Sequence, residues 1–264
     1  MLVAVDAGRA YVKTVVGNRK FSFPSKVSKA RQRTFVQTLE EDMEIRYQGK
    51  DYFIGQLAER EGSFTRQMMT ESKVNMETVL LVLTALFQAG AIGEVKLVTG
   101  VPINMYKEDE RARLRAKLEG EHEIVLNGTY RKLHITKAAI TIEGGAAYWV
   151  HRRMGTVRIV DPGARTTNYA TFKDGIFIDR ESGTIPKGWD NVREADPEEM
   201  ASMIVGHLGG MWNITDVVEL IGGKAQELVE PFKRVGFQFA TTFEDPKYAN
   251  ALGYYALGKE TLGE

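Results

Sequence analysis

Two short turns hold the residues whose types and spacing are best suited to chemistry. Asp6-Ala7-Gly8 ends one apolar strand-like run, and Asp161-Pro162-Gly163 ends another. Lys13 follows the first turn, and Thr166-Thr167 follows the second. A glycine here lets backbone N–H groups approach an anion without a Cβ in the way, and the aspartate can hold Mg²⁺ through water. Asp-Ala-Gly and Asp-Pro-Gly are also good turn formers, but the two turns together predict a clamp on the β- and γ-phosphates of a nucleotide.

The two turns lie in segments that repeat in outline. Residues 3–14 and 158–169 each consist of an apolar strand, an Asp-x-Gly turn and a second strand bearing Lys or Thr. Such a repeat indicates two related lobes that face each other across a cleft. Strands alternate with helices and hairpins along the rest of the chain, which is typical of an α/β protein with mixed sheets.

Two further segments could contact a nucleotide. Gly222-Gly223-Lys224 follows a strand and opens a helix, a geometry that suits a phosphate or the adenosine side. Glu143 precedes Gly144-Gly145, where the sequence predicts the start of a helix over 145–153. Its carboxylate has two interpretations, a favourable charge in a first helical turn or a base that orients water on the γ-phosphate. The residues alone leave both open.

Composition excludes several classes of function. The chain of 264 residues has 35 Lys and Arg against 35 Asp and Glu, so a basic face for direct nucleic-acid binding is not expected. A net charge near zero also favours self-association. There is no cysteine, which excludes disulfides and thiolate chemistry and agrees with a cytoplasmic location. The four histidines lack metal-ligand spacing, and neither a signal peptide nor a membrane span is predicted.

Five motifs, in this order, resemble those of the superfamily of actin, heat-shock chaperones and sugar kinases. They correspond to its phosphate-1, connect-1, phosphate-2, adenosine and connect-2 motifs: Asp6-x-Gly8 with Lys13, Glu143-Gly144-Gly145-Ala146, Asp161-x-Gly163-x-x-Thr166, Gly222-Gly223-Lys224-Ala225, and Tyr248-Ala249-Asn250-Ala251-x-Gly253. Each motif is loose by itself, but the order is specific. The resemblance spans nearly the whole chain.

Within that superfamily the chain looks most like the bacterial actin-like ATPases of the ParM/AlfA type, which segregate plasmids. The segments that fit this group are Phe23-Pro24-Ser25, Tyr52-Phe53-Ile54-Gly55, Val98-Thr99-Gly100-Val101-Pro102, Asp174-Gly175 and Gly183-Thr184-Ile185. The resemblance implies an ATPase that polymerises into filaments, uses ATP (with GTP as the alternative) and Mg²⁺, and moves plasmid copies apart. It implies two partners, copies of the chain itself and a DNA-binding adaptor protein at a centromere-like site, without direct binding to nucleic acid or membrane.

The resemblance also implies roles for individual residues. Glu143 and Asp161 would be catalytic, with Glu143 orienting water, and Asp6 and Asp161 would hold the metal. Nucleotide binding would fall to Asp6, Gly8, Arg9, Ala10, Lys13, Gly163, Ala164, Arg165, Thr166, Gly183, Gly222, Gly223 and Lys224. Three positions depart from the family pattern: Arg9 replaces a small hydroxyl residue, Ala10 a glycine, and Asn168 an aspartate.

The implied fold is α/β and actin-like (ribonuclease H-like), with two lobes, mixed sheets and a central nucleotide cleft. The span from Asp161 to Gly222 is short, which predicts that subdomain IIB is missing, as in the AlfA-like group. The predicted lobes are 1–142, with a small subdomain inserted at about 24–70, and 143–247. A C-terminal helix, 248–264, would return to the first lobe.

Two other functions remain compatible with the sequence. One is a soluble small-molecule kinase or phosphatase of the same superfamily, although substrate-binding insertions are not evident in so short a chain. The other is a non-hydrolysing cytoskeletal scaffold, in which the changes at Arg9 and Ala10 mark a decayed site.

Overall fold

The computed structural model describes residues 1–63, 66–67 and 72–263. The strands are β1 (Leu2–Ala7), β2 (Tyr11–Val16), β3 (Arg19–Pro24), β4 (Lys26–Lys29), β5 (Met43–Tyr47), β6 (Lys50–Ile54), β7 (Arg66–Gln67), β8 (Gly93–Val101), β9 (Gly120–Leu126), β10 (Thr129–Ile142), β11 (Thr156–Pro162), β12 (Thr167–Lys173), β13 (Ile176–Phe177), β14 (Gly183–Ile185), β15 (Val218–Leu220) and β16 (Ala240–Thr242). The α-helices are α1 (Gln56–Glu61), α2 (Met76–Gln88), α3 (Glu108–Leu118), α4 (Pro197–Leu208), α5 (Ala225–Val235) and α6 (Ala249–Thr261). None of the helices in these ranges is long and apolar enough to cross a bilayer.

The strands form two mixed sheets. One has ten strands in the order β3-β2-β1-β8-β10-β9-β5-β6-β4-β7, and the other has the order β13-β12-β11-β15-β16, with β14 on β12. In the first sheet β1 is antiparallel to β2 and parallel to β8. In the second, β11 is antiparallel to β12 and parallel to β15. The predicted α/β fold with mixed sheets is confirmed, and the repeated segments have the same strand arrangement.

Contacts divide the chain into two compact units. Unit 1 comprises 1–99, 107–140 and 258–264, and unit 2 comprises 100–106 and 141–257. These units show which residues pack together and do not test the predicted lobe boundaries. The lobes at 1–142, 143–247 and 248–264 therefore stay a prediction. The predicted end of the small subdomain near residue 70 lies outside the described residues.

Each unit has its own apolar core. In unit 1, helix α2 is buried on all sides from Thr78 to Leu86, because its sequence is apolar around the whole helix. Asn75 caps it by accepting a hydrogen bond from the Thr78 N–H at 2.8 Å. In unit 2, α4 and α5 pack on the sheet through buried side chains that include Met200, Ile204, Leu228 and Phe232. These cores fix the strands on which the predicted site residues lie.

The structure describes every residue from Asp161 to Gly222, and the strands in this span all belong to the second sheet. Its strands β12, β13, β14 and β15 all pair within the second sheet, and its one α-helix, α4, packs on that sheet. This agrees with the predicted lack of a subdomain in this part of the chain.

Candidate active site

The first predicted turn joins β1 and β2 in unit 1. Asp6 lies directly across the antiparallel pair from Lys13, whose Nζ is 3.1 Å from Asp6 Oδ2. A Cβ added to Gly8 would lie 2.8 Å from the Tyr11 carbonyl oxygen and 3.0 Å from Lys13 Nζ. Glycine is therefore favoured here, because a Cβ would clash with the backbone carbonyl of Tyr11 and crowd the Lys13 ammonium. The structure brings Asp6, Gly8 and Lys13 together as the sequence predicts.

A second lysine at this turn was missed by the sequence analysis. Lys73 is 3% exposed, and its Nζ donates to the Ala7 carbonyl at 2.8 Å. Ser25 Oγ donates to the next carbonyl of the turn, that of Gly8, at 2.5 Å. A buried ammonium is costly unless hydrogen bonds and nearby charge compensate it. Lys73 thus adds a positive charge close to the first turn and fixes the turn's backbone.

The second predicted turn joins β11 and β12 in unit 2. Asp161 lies across the pair from Asn168, in the position that Asp6 and Lys13 hold in the first hairpin. Asn168 Oδ1 accepts from Thr184 Oγ1 at 2.7 Å and from the Ile103 N–H at 3.4 Å. The side chain that departs from the family pattern is therefore a buried structural link within unit 2.

The loop after Asp161 is held from outside by residues 188–190. The Trp189 N–H donates to the Gly163 carbonyl at 3.0 Å, and its indole N–H donates to the Pro162 carbonyl at 3.1 Å. The Asp190 N–H donates to the Ala164 carbonyl at 2.7 Å, and the Asp190 carboxylate is 3.8 Å from Arg165 Nε. Inside the loop, the Gly163 N–H donates to the Thr166 carbonyl at 2.9 Å.

The glycine turn after β15 approaches the same aspartate. Gly222 has φ +98°, and a Cβ there would lie 2.9 Å from Asp161 Oδ1. Lys224, just before α5, has its Nζ 4.6 Å from the centre of the Trp189 ring. The structure thus brings the adenosine-like turn to the phosphate-2-like turn within unit 2.

Gly183 has a structural role in unit 2. It lies in β14 opposite Tyr169 of β12, and a Cβ there would lie 2.7 Å from the Tyr169 hydroxyl. This packing accounts for the glycine, and its predicted contact with a nucleotide stays a prediction.

Glu143 is buried at the end of β10, at 9% exposure. The α-helix predicted over 145–153 is wrong, since only a single 3₁₀ turn forms, at Ala146–Trp149. Gly144 has φ +78° and a Cβ there would lie 2.6 Å from Asn168 Cβ, so the chain turns tightly against β12 and cannot continue as a regular helix. Glu143 therefore does not sit in the first turn of an α-helix.

Asn250 joins this tight turn to Asp161 and was not predicted as a site residue. Its Oδ1 accepts from the Gly144 N–H at 2.9 Å, and its Nδ2 donates to Asp161 Oδ2 at 2.7 Å. Within unit 2, Asp161 is thus the centre of a cluster formed by four separate segments of the chain. The sequence signal was the connect-2 motif, which contains Asn250.

In each unit, an aspartate beside a glycine turn has the chemistry of a Mg²⁺ ligand. Mg²⁺ is usually held by one or two carboxylates, with water and substrate phosphates completing the shell. Asp6 in unit 1 and Asp161 in unit 2 each lie one residue before the end of a strand that leads into a glycine turn. In unit 2, Gly222 leaves free the space next to Asp161 Oδ1 that a Cβ would fill. Among the described residues there is no group of three or more acidic or histidine side chains able to hold a metal.

A family model for the N-terminal domain of actin-like proteins matches residues 4–145. The chain belongs to the actin-like protein family. This match covers β1 to β10 and the turn after Glu143, and so includes the first hairpin with its Asp6–Lys13 pair. A search of curated proteins gives no match.

Solved structures of actin homologues share the whole fold with this member of the actin-like family. Apo pSK41 ParM matches with a TM-score of 0.80 and 17% identity, covering 98% of this chain and 97% of that one. An AlfA filament bound to AMPPNP matches with a TM-score of 0.77 and 20% identity, over 100% and 96% of the two chains. Ta0583, an archaeal actin homologue in complex with ADP, matches with a TM-score of 0.82 and 17% identity, over 99% and 100%. The predicted actin-like fold is confirmed.

Proposed function

We propose that this chain is an ATPase that polymerises into filaments and separates plasmid copies through a DNA-binding adaptor. The observation that supports this most directly is the repeated hairpin, in which Asp6 and Asp161 occupy the same register position beside a glycine turn. Structural relatives described as a ParM protein and as AMPPNP-bound AlfA filaments support the same proposal. The balanced charge of the chain supports an adaptor as the link to DNA.

Each unit supplies groups of the proposed nucleotide-binding machinery. In unit 1, Lys13 and Lys73 bring positive charge to the turn, where they would stabilise phosphate oxygens. The same turn contains Gly8, Arg9 and Ala10, which we expect to contact the nucleotide. In unit 2, the loop of Gly163, Ala164, Arg165 and Thr166 and the turn of Gly222, Gly223 and Lys224 would bind the rest of the nucleotide.

Asp6 and Asp161 would hold Mg²⁺ as proposed metal ligands. When bound, the ion neutralises charge on the β- and γ-phosphates and so helps the leaving group depart. Glu143 would orient a water molecule for attack on the γ-phosphate, since its buried position outside an α-helix leaves the first-turn interpretation without support. Asp161 would keep its geometry through Asn250 and the approach of Gly222.

Sedimentation and phosphate release on the purified chain test this proposal together. We expect filaments with ATP and Mg²⁺, fewer with ADP, and phosphate release that rises with assembly. GTP in the same assay tests the alternative nucleotide. Asp161→Ala should stop phosphate release, since it removes a proposed metal ligand, while circular dichroism stays that of the wild type.

The other candidate functions give different results in the same assay. Filaments that form equally well without nucleotide, and without phosphate release, would indicate a scaffold. A chain that stays unassembled and phosphorylates a small acceptor would indicate a kinase. A small DNA-binding protein that co-sediments with the filaments and retains plasmid DNA is the expected result for the adaptor.

A further inference from the structure

Asn250 is a buried amide that joins two segments of unit 2, the turn after Glu143 and the end of β11. It lies in the first turn of α6, is 7% exposed, and contacts two segments of unit 2 through the two ends of its amide. One end accepts from the Gly144 N–H at 2.9 Å, and the other donates to Asp161 Oδ2 at 2.7 Å.

The chemistry of the partners determines which way the amide points. A backbone N–H can only donate, so the oxygen of Asn250 must face Gly144. An ionised carboxylate can only accept, so the NH₂ group of Asn250 must face Asp161. Among uncharged side chains of this length, only asparagine offers a donor and an acceptor on one planar group. Aspartate would lose the donor, and leucine would lose both.

The bond to Gly144 fixes the backbone on the C-terminal side of Glu143. On the other side, the Glu143 N–H donates to the Val101 carbonyl at 2.8 Å. The N–H groups on both sides of the Glu143 α-carbon are therefore anchored, one by Val101 and the other by Asn250. Asn250 is thus the side chain that relates the position of Glu143 to that of Asp161.

Helix α6 is held firmly against the same turn. A Cβ added to Gly253 would lie 1.9 Å from the Ala146 carbonyl oxygen. Ala249 and Ala251, on either side of Asn250, are completely buried. The amide therefore projects from a helix that packs closely on residues 146–147.

We propose that Asn250 is a positioning residue, which aligns Glu143 with Asp161 by linking the Gly144 N–H to the Asp161 carboxylate. This inference rests on the proposed function, because Glu143 and Asp161 are its proposed catalytic pair. Asn250 acts through those two residues. Changing its amide should therefore lower kcat for ATP hydrolysis more than it changes KM.

The main variant is Asn250→Asp, which keeps the shape and the acceptor for Gly144 but turns an oxygen towards Asp161. Asn250→Ala removes both bonds. The matched control is Asn127→Asp, because Asn127 forms the same kind of bridge in unit 1. Its Oδ1 accepts from the Glu44 N–H at 2.8 Å and its Nδ2 donates to the Asp42 carbonyl at 2.6 Å. Both aspartate variants add one negative charge and remove one amide donor.

We expect kcat for ATP hydrolysis to fall at least about tenfold in both Asn250 variants, while KM changes less than about threefold, because misalignment affects the transition state most. Asn127→Asp should keep the wild-type kcat. Without Mg²⁺, the Kd for ADP measured by calorimetry should stay near that of the wild type in Asn250→Ala. With Mg²⁺, the gain in affinity should be smaller, because Asp161 is no longer held in place.

A double variant distinguishes positioning from general damage. Because Asn250 acts through Glu143 as well as through Asp161, Asn250→Ala should lower kcat by a smaller factor in the Glu143→Ala background than in the wild type. Losses that multiply, or Asn250 variants with the wild-type kcat, overturn the inference while leaving the proposed function intact. If the wild type itself releases no phosphate, the proposed function fails, and an unchanged Mg²⁺ dependence of ADP binding in Asn250→Ala then overturns the inference separately.

Discussion

At the scale of single residues, the site depends on a few polar side chains that join distant segments. Lys73 contacts a carbonyl 66 positions earlier in the chain, and Asn250 contacts residues 106 and 89 positions earlier. Neither role is visible in local spacing. Asp6, Lys13 and Asp161 could be predicted because each lies in a short strand–turn–strand pattern.

Replacing Lys73 tests whether the first turn binds the phosphates of a nucleotide. Lys73→Met keeps most of the side-chain length but removes the charge, so ATP affinity should fall about tenfold, or about 1.4 kcal/mol. Isothermal titration calorimetry gives the Kd directly. The matched control is Lys96→Met, because Lys96 Nζ also donates to a backbone carbonyl in unit 1, that of Leu262, at 2.7 Å. Equal ATP affinities for the two variants would contradict a role of Lys73 in nucleotide binding.

At the scale of elements, close backbone approaches decide where regular structure stops. Residues 145–153 have a helix-like composition, yet Gly144 lies against β12 and only one 3₁₀ turn follows. The strands and helices with strong apolar patterns were predictable. Segments shaped by glycine packing were not, because the packing partners are remote in sequence.

In helix α6, replacing Gly253 tests how closely the helix packs on Ala146. Alanine favours a helix over glycine by about 1 kcal/mol, so propensity alone predicts that Gly253→Ala stabilises the protein. The structure predicts the reverse, since the added methyl group would overlap the Ala146 carbonyl. Overpacking of this kind costs about 1–3 kcal/mol, so the melting temperature should fall by several degrees.

Gly206→Ala in α4 is the control for that experiment. Gly206 is also in a helix, but a Cβ there would have no atom within 4 Å. We expect its melting temperature to stay constant or rise slightly. Calorimetry that gave Gly253→Ala the higher melting temperature of the two would show that α6 does not pack so closely on Ala146.

At the scale of the whole molecule, zero net charge coexists with many local ion pairs. In unit 2, Glu181 lies 2.8 Å from Lys173 Nζ and 2.5 Å from Arg158 Nη1. The Glu181 carboxylate accepts hydrogen bonds from Lys173 and Arg158. These bonds, with that from Lys173 the larger cause, hold the Glu181 pKa below its usual range. In unit 1, the hydrogen bond from Arg46 lowers the Asp51 pKa in the same way. These carboxylates link the stability of the fold to pH.

The lowered pKa values of these carboxylates determine whether the fold gains or loses stability as pH falls. A carboxylate whose pKa is lower in the folded than in the unfolded state stabilises the fold fully above the unfolded value, which is about 4. That contribution is lost as pH falls through the folded value. The melting temperature should therefore decrease as pH is lowered from about 5 to about 2.5. A melting temperature that stayed constant over this interval would contradict the ion-pair geometry.

Glu181→Gln should reduce this acid dependence and also lower the melting temperature at neutral pH, because Arg158 is 5% exposed and loses a charged partner. The control is Glu244→Gln, which removes a carboxylate at an exposed position. Its thermal unfolding should follow that of the wild type at every pH.

Trp189 gives the second hairpin a built-in optical signal. Its indole donates to the Pro162 carbonyl, its backbone N–H donates to Gly163, and Lys224 lies over its ring. Movement of the turn or of Lys224 changes the polarity around the indole, and with it the wavelength and yield of fluorescence. The chain has three tryptophans, so replacing Trp149 and Trp212 with phenylalanine leaves one tryptophan, hydrogen-bonded to Pro162 and Gly163 in the turn. The proposed binding of nucleotide at that turn can then be tested in real time without a dye.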